Sequence, residues 1–209
     1  MSRLFMAIDD TDDLDSKGTG DIAQEIIDAI HQENLGACSR ITRHQLYVHK
    51  DIPYTSHNSA MCFEIQADLQ AVDPIRKLAE RVLSSESSQE ADPGLCLYRV
   101  SELTDEEAIM RYGLLAKQQI FTKDYAYCLA EQQGIFLKEY GGTGIGVIGA
   151  LAGVGLRLGG NDGRFKGRVE VEEGIWSVES LIANEEIDCV RMTTGTKLGC
   201  KDQVRVSGK

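Results

Sequence analysis

The chain has 209 residues, 42% hydrophobic and 26% charged, an ordinary balance for a globular protein of one large or two small domains. No apolar run reaches the roughly 18 residues a membrane helix needs, and the short apolar start runs at once into acid, so neither a membrane span nor a signal peptide is expected and the expected address is cytoplasmic. A net charge of −11 argues against nucleic acid as a partner except at a local basic patch, because phosphates are gripped by Lys and Arg. The six cysteines lie singly, without a CxxC pair or a Cys/His cluster at zinc spacing, which predicts reduced thiols and no structural zinc.

Read in chain order, Leu4–Ile8 is a buried strand and Asp21–Gln32 a helix with Ile22, Ile26, Ile27 and Ile30 on one stripe. Gln45–Val48 and Ser59–Ile65 read as strands, and Asp73–Leu83 as an amphipathic helix with Pro74 in its first turn. "SSESSQEADPG", Ser84 to Gly94, reads as a flexible polar loop. Strand Leu95–Val100 follows, then helix Thr104–Lys117, where Thr104 and Glu107 match a capping box. Helix Lys123–Gln133, strand Phe136–Tyr140 and a glycine-rich helix over Gly146–Leu156 come next. Short strands at Arg164–Val171, Cys189–Met192 and Val204–Val206, with a helix at Ser177–Asn184, close the chain. The alternation predicts an α/β (α+β) sheet protein without internal repeats, its lobes closely associated and divided at no position the sequence marks, the 84–94 loop apart.

Chemistry concentrates between the first strand and the first helix, in "AIDDTDDLDSKGTGD". Adjacent carboxylates at a strand end are a common way to hold Mg²⁺, with a bound phosphate completing its octahedron. A solvated acidic turn is the competing reading. An EF-hand loop is excluded, since the sixth position from Asp9 lacks Gly and the twelfth lacks Glu. The following Ser16–Asp21 segment places small residues at a helix start, where backbone N–H groups suit an anion and Lys17 adds a charge. A plain N-cap by Thr19 explains the same residues.

"KEYGGTGIGVIGALAGVGLRLGG", Lys138 to Gly160, contains a literal GxGxxG at Gly144, Gly146 and Gly149. It does not sit in a first strand–helix turn, so a generic phosphate-binding glycine loop fits better than a dinucleotide fingerprint. Close packing of a small-residue helix is the alternative. "VHKDIPYTSHNSAM", Val48 to Met61, is Pro-broken and rich in hydrogen-bonding side chains, and His44 and His49 set no metal geometry.

These three pieces, in this order, resemble the archaeal isoleucine-tRNA agmatinylcytidine synthetase family. The family motifs "GIDDTDS", "NP.IP…T.GN.A" and "G.GVIGALAA" are met here by Ala7–Asp13, Lys50–Ala60 and Gly142–Gly155. The resemblance covers most of the chain and implies a kinase-like α/β lobe combined with a ferredoxin-like α+β lobe. It implies Mg²⁺ and ATP as cofactors, with Asp9, Asp10 and Asp12 as metal-holding catalytic residues and Thr11 between them. It implies a substrate or phosphate contact at Asn58. The family's "GMCTTY" is replaced by Gly18-Thr19-Gly20-Asp21, and its basic "KTRGN" by Tyr54-Thr55-Ser56-His57-Asn58. No segment matches the family's OB-fold or zinc ribbon.

The expected function is therefore Mg·ATP binding with transfer of a phosphoryl or nucleotidyl group to a small or unknown acceptor. Thr11, Lys17, Gly18, Thr19, Gly20, Gly142, Gly144 and Gly146 are the expected nucleotide- and phosphate-binding positions, and His57 and Asn58 the acceptor contacts. The isolated chain is not expected to hold tRNA stably; a homo-oligomer is compatible with the sequence. Two alternatives stand beside this: a non-catalytic nucleotide-binding regulatory module, and a tRNA-modification subunit that borrows RNA-binding surface from a partner.

Overall fold

The computed structural model describes residues 1–13, 15–54, 58–100, 104–166, 171–184, 187, 190, 192 and 196–207. The chain divides into two compact units, Met1–Lys166 and Gly167–Lys209. In chain order the first unit holds β1 (Ser2–Asp9), α1 (Thr19–Gln32), β2 (Ala37–Cys38), β3 (Thr42–Gln45) and β4 (Ser59–Ala67). It continues with α2 (Val72–Glu86), β5 (Gly94–Arg99), α3 (Glu106–Leu115), α4 (Lys123–Gln132), β6 (Phe136–Glu139), α5 (Gly146–Leu158) and β7 (Arg164–Phe165).

The strands form one antiparallel sheet in the order β6-β5-β1-β4-β3-β7, with β2 beside the far end of β4. Strand β1 lies between β4 and β5, Ala7 facing Cys62 on one side and Cys96 on the other. Its side chains alternate between two cores. Leu4, Met6 and Ile8 pack with the isoleucine stripe of α1 and with Ile75, Leu78 and Leu83 of α2. Phe5 and Ala7 pack with α3, α4 and α5. Because both faces are covered, β1 reads as an unbroken apolar run rather than an alternating one. Burying each such side chain contributes about 1.5–3 kcal/mol, so α1 and α2 are held mainly by their stripes.

Sequence and structure agree on a mixed α/β fold, with differences at element edges. The strand expected over Gln45–Val48 is shifted upstream: β3 ends at Gln45, where its ladder with β4 stops at Ser59. Helix α3 is capped by Asp105, whose side chain accepts from Ala108 N, rather than by Thr104. β2 is an addition that the sequence did not signal.

Segment 84–94 is tied down at several points. Ser84–Glu86 complete α2, Ser88 N donates to Thr11 O at 3.0 Å, and Ala91 is buried. The second unit holds the antiparallel strand pair β8 (Gly174–Ser177) and β9 (Gln203–Val206), with the short helix α6 (Val178–Ile182) capped by Ser177. The strand expected at Cys189–Met192 lies largely outside the described residues, as do residues 167–170 of the one expected over Arg164–Val171. No described helix is long and apolar enough to cross a membrane.

Candidate functional site

The acidic turn begins where β1 leaves the sheet. Asp9 is 8% exposed, and its carboxylate lies against α5 at Gly149, where any side chain would overlap Oδ2. Asp10 adopts φ +55°, a left-handed conformation that costs free energy for a non-glycine residue and recurs at ligand sites. Burial, then the neighbouring Asp10, pushes the Asp9 carboxyl well above its usual range. Burial, then Asp92 and Asp12, raises Asp10 to about 6. Asp12 accepts a hydrogen bond from Thr19 Oγ1 at 2.5 Å. Thr11 is fully buried, and its Oγ1 finds no hydrogen-bond partner among the described residues.

The second wall is the start of α5. Gly142 and Gly144 both take positive φ, at 53° and 72°. The Asp92 carboxylate accepts from Thr143 N and, at 3.0 Å, from Gly144 N, while the Asp92 carbonyl accepts from Gly146 N at 3.1 Å. The turn that the sequence suggests as an anion cradle thus already holds an anion, the protein's own Asp92. Gly94 and Gly146 touch backbone to backbone, with no room for a Cβ on either.

Between these walls lies a cavity of about 230 Å³. Asp9, Asp10, Asp12 and Thr19 line one end, and Gly146 and Gly149 flank them. Leu46, Ala116, Ile120, Phe121 and Ile148 form an apolar wall. The β3–β4 connection contributes Asp51–Tyr54 and Asn58, and β4 its first residue, Ser59. No Lys, Arg or His stands among the described lining residues.

Of the positions expected from sequence, Asp9, Asp10, Asp12, Thr19, Asn58 and Gly146 converge on this cavity. Thr11, Lys17, Gly18, Gly20, Gly142 and Gly144 do not line it. The Lys17 ammonium reaches Glu25 at 2.7 Å and Glu86 at 2.6 Å. Gly18 precedes α1, its carbonyl accepting from Asp21 N at 2.8 Å. Gly20 packs against the Lys166 side chain. Asn58 Nδ2 donates to Tyr47 O at 2.7 Å. His57 lies outside the described residues. Sequence reasoning passed over Asp92 and Asp51. For Asp92 the available signal was its place before Pro93-Gly94 at a strand start, which marks a turn but not a contact some 50 residues away.

Among the described residues no three His, Cys, Asp or Glu side chains form a ready-made metal cage. Mg²⁺ does not require one, since it is usually bound through one or two carboxylates, phosphate oxygens and water. Two carboxylates whose charged forms are disfavoured first by burial and then by neighbouring carboxylates, Asp10 for Asp9 and Asp92 and Asp12 for Asp10, suit that mode, because a divalent cation offsets these penalties.

The fold and cavity define a mixed α/β protein with a carboxyl-lined pocket at the exit of its first strand. Solved structures of TiaS, a tRNA agmatidine synthetase, share this fold. A complex of TiaS with tRNA and ATP matches with a TM-score of 0.65 and 24% identity, covering 74% of this chain and 36% of that one. A complex of TiaS with tRNA, AMPCPP and agmatine matches with a TM-score of 0.65 and 21% identity, covering 88% of this chain and 44% of that one. Apo TiaS matches with a TM-score of 0.62 and 22% identity, covering 73% and 35%. This chain therefore spans less than half the length of the structures it resembles. By sequence, no family model and no curated relative matches.

Proposed function

We propose that the chain binds Mg·ATP in the cavity at the end of β1 and uses it in an ATP-dependent transfer related to the tRNA modification performed by TiaS. The observation that carries this is the placement of the buried Asp9 and the partly buried Asp10, carboxyls disfavoured as anions, in one cavity with Asp12, Thr19 and the start of α5. TiaS complexes with ATP and with AMPCPP support the nucleotide.

In this reading Asp9 and Asp10 hold the metal, which supplies charge neutralisation for the phosphates. Asp12, fixed by Thr19, orients the turn. Asn58, anchored to Tyr47, stands at the acceptor side. The apolar wall of Leu46, Ile120, Phe121 and Ile148 excludes water, so a bound phosphoryl or nucleotidyl group meets its acceptor rather than being hydrolysed. Phosphoryl transfer asks a protein chiefly for positioning and charge neutralisation, and the site offers both once the cation is bound.

A second reading, a nucleotide-binding module without turnover, is favoured by the lack of Lys, Arg or His among the described lining residues, since transfer sites commonly place cations on developing charge. Calorimetry of Mg·ATP with the wild type and Asp10→Asn tests the site. A loss of about tenfold or more in the variant, about 1.4 kcal/mol, is expected, and unchanged affinity refutes the metal role. Release of phosphate, pyrophosphate or AMP from ATP separates transferase from module.

A further inference from the structure

His44 of β3 is fully buried and does not line the cavity, yet both its ring nitrogens are engaged. Nε2 lies 2.8 Å from Thr42 Oγ1, and Nδ1 lies 2.9 Å from Asp162 Oδ1. The other Asp162 oxygen accepts from the Lys117 ammonium. Thr42 Oγ1 also reaches Cys62 O at 3.1 Å, so its proton has two acceptors within range. Gly163 lies against the ring, where a Cβ would stand 2.6 Å from Cε1, and this keeps the segment carrying Asp162 close.

Charged and titratable neighbours surround the ring. Asp162 belongs to the connection between α5 and β7, Lys117 follows α3, and Arg157 stands on α5. Strand β4 brings the Cys62 thiol, which burial pushes up to about 12 and so keeps neutral. A neutral ring donates Nδ1–H to Asp162 and accepts from Thr42. A protonated ring donates at both nitrogens, and Thr42 turns its own proton to Cys62 O. Both states are therefore hydrogen-bonded, and what changes is the charge. One carboxylate then serves two cations, with Arg157 nearby. The Lys117 side chain is 31% exposed while the ring is sealed from solvent, so Lys117 is the partner that water can take over.

The cluster stands behind the cavity's apolar wall. Leu46, two residues beyond His44, lines the cavity, and so does Ala116, next to Lys117. These two parts of the wall are joined through Tyr47 N, which donates to Ala116 O at 3.1 Å.

We propose that His44, Asp162 and Lys117 form a proton-operated latch on this wall. With a neutral ring, Asp162 holds Lys117 and the wall is closed. With a protonated ring, Asp162 turns to the imidazolium, Lys117 leaves for solvent and the joint at Tyr47 loosens. The latch goes beyond the nucleotide reading and acts on any ligand that needs the wall closed. Burial holds the His44 pKa below the ordinary imidazole value, with the Asp162 hydrogen bond opposing. The wall is thus closed at neutral pH and opens on the acid side of the imidazole range. Against the cost of burial, Lys117 and His44 hold the Asp162 pKa below its usual value, so Asp162 stays a carboxylate throughout.

Amide hydrogen exchange at Tyr47, corrected for intrinsic rates, reads the joint at about pH 7.5 and about pH 5. It is run without nucleotide and in an Asp10→Asn background, so that Asp10 does not titrate. Protection should fall about tenfold at the lower pH, within the usual range for coupled sites. The fall should vanish in His44→Gln, which keeps a hydrogen-bonding side chain but cannot charge. Coupling is reciprocal, so Lys117→Met should raise the His44 titration midpoint, followed by ring NMR, by about one pH unit, the same tenfold. That variant, at a partly exposed position, carries the test if His44→Gln folds poorly. Tyr47 protection that does not change with pH, a ring that stays neutral down to about pH 5, or a midpoint indifferent to Lys117→Met overturns the latch.

Discussion

The Asp10 carboxylate makes an unusual demand: replacing it should stabilise the protein. Its pKa rises from 3.8 to about 6 on folding, first through burial and then through Asp92 and Asp12. A raised folded pKa means that the native state binds the proton more tightly than the unfolded chain. Below about pH 4 both states are protonated and the group costs nothing. As pH climbs from about 4 to about 6 the unfolded chain ionises first, and stability falls by about 1.4 kcal/mol per pH unit before levelling. The full shift corresponds to about 3 kcal/mol, which partial solvent exposure reduces to about 2 kcal/mol. Asn keeps the side-chain shape and tolerates the left-handed conformation at φ +55°. Asp10→Asn should therefore raise the urea-derived stability by about 2 kcal/mol at about pH 7.5, and by almost nothing at about pH 4, in metal-free buffer. In thermal melts the gain at the higher pH is about 4–8 °C. A variant that is neutral or less stable there would show that the folded protein already accommodates this charge, and the case for a missing cation would fall with it.

Two other substitutions probe the walls. In Gly149→Ala the new methyl overlaps the Asp9 carboxylate, so calorimetry should show nucleotide binding abolished while circular dichroism keeps its native shape; retained affinity would mean that Asp9 is not a ligand. Lys17→Met removes an ammonium already engaged by Glu25 and Glu86, so Mg·ATP affinity should not change, and a marked loss would return Lys17 to the phosphate site.

Most elements were legible because their signals are local. The isoleucine stripe of α1 and the apolar runs of β1 and β4 each announce a face without knowledge of the partner. The start of β3 was misplaced because Arg43 and His44 look unlike strand residues; the buried His44 ring is satisfied by Thr42 on one nitrogen and, on the other, by Asp162, 118 residues further on, at 2.9 Å. The acidic turn was visible for the same reason as α1: adjacent aspartates declare themselves. Asp92 was invisible, since its role depends on the main-chain N–H groups of residues 143 and 144, and nothing near it in sequence encodes that meeting.

Connections between helices and strands ordinarily tolerate insertions and deletions over evolutionary time. The one joining α2 to β5 has less freedom. Ser88 reaches the acidic turn through Thr11 O and Asp13, and Asp92, a few residues on, grips the glycine turn before α5. Both ends of this short span are measured against a different wall of the pocket, so its length acts as a spacer setting. A single residue gained or lost between them would release one wall or the other, making this stretch a place where related chains should vary in composition but not in length.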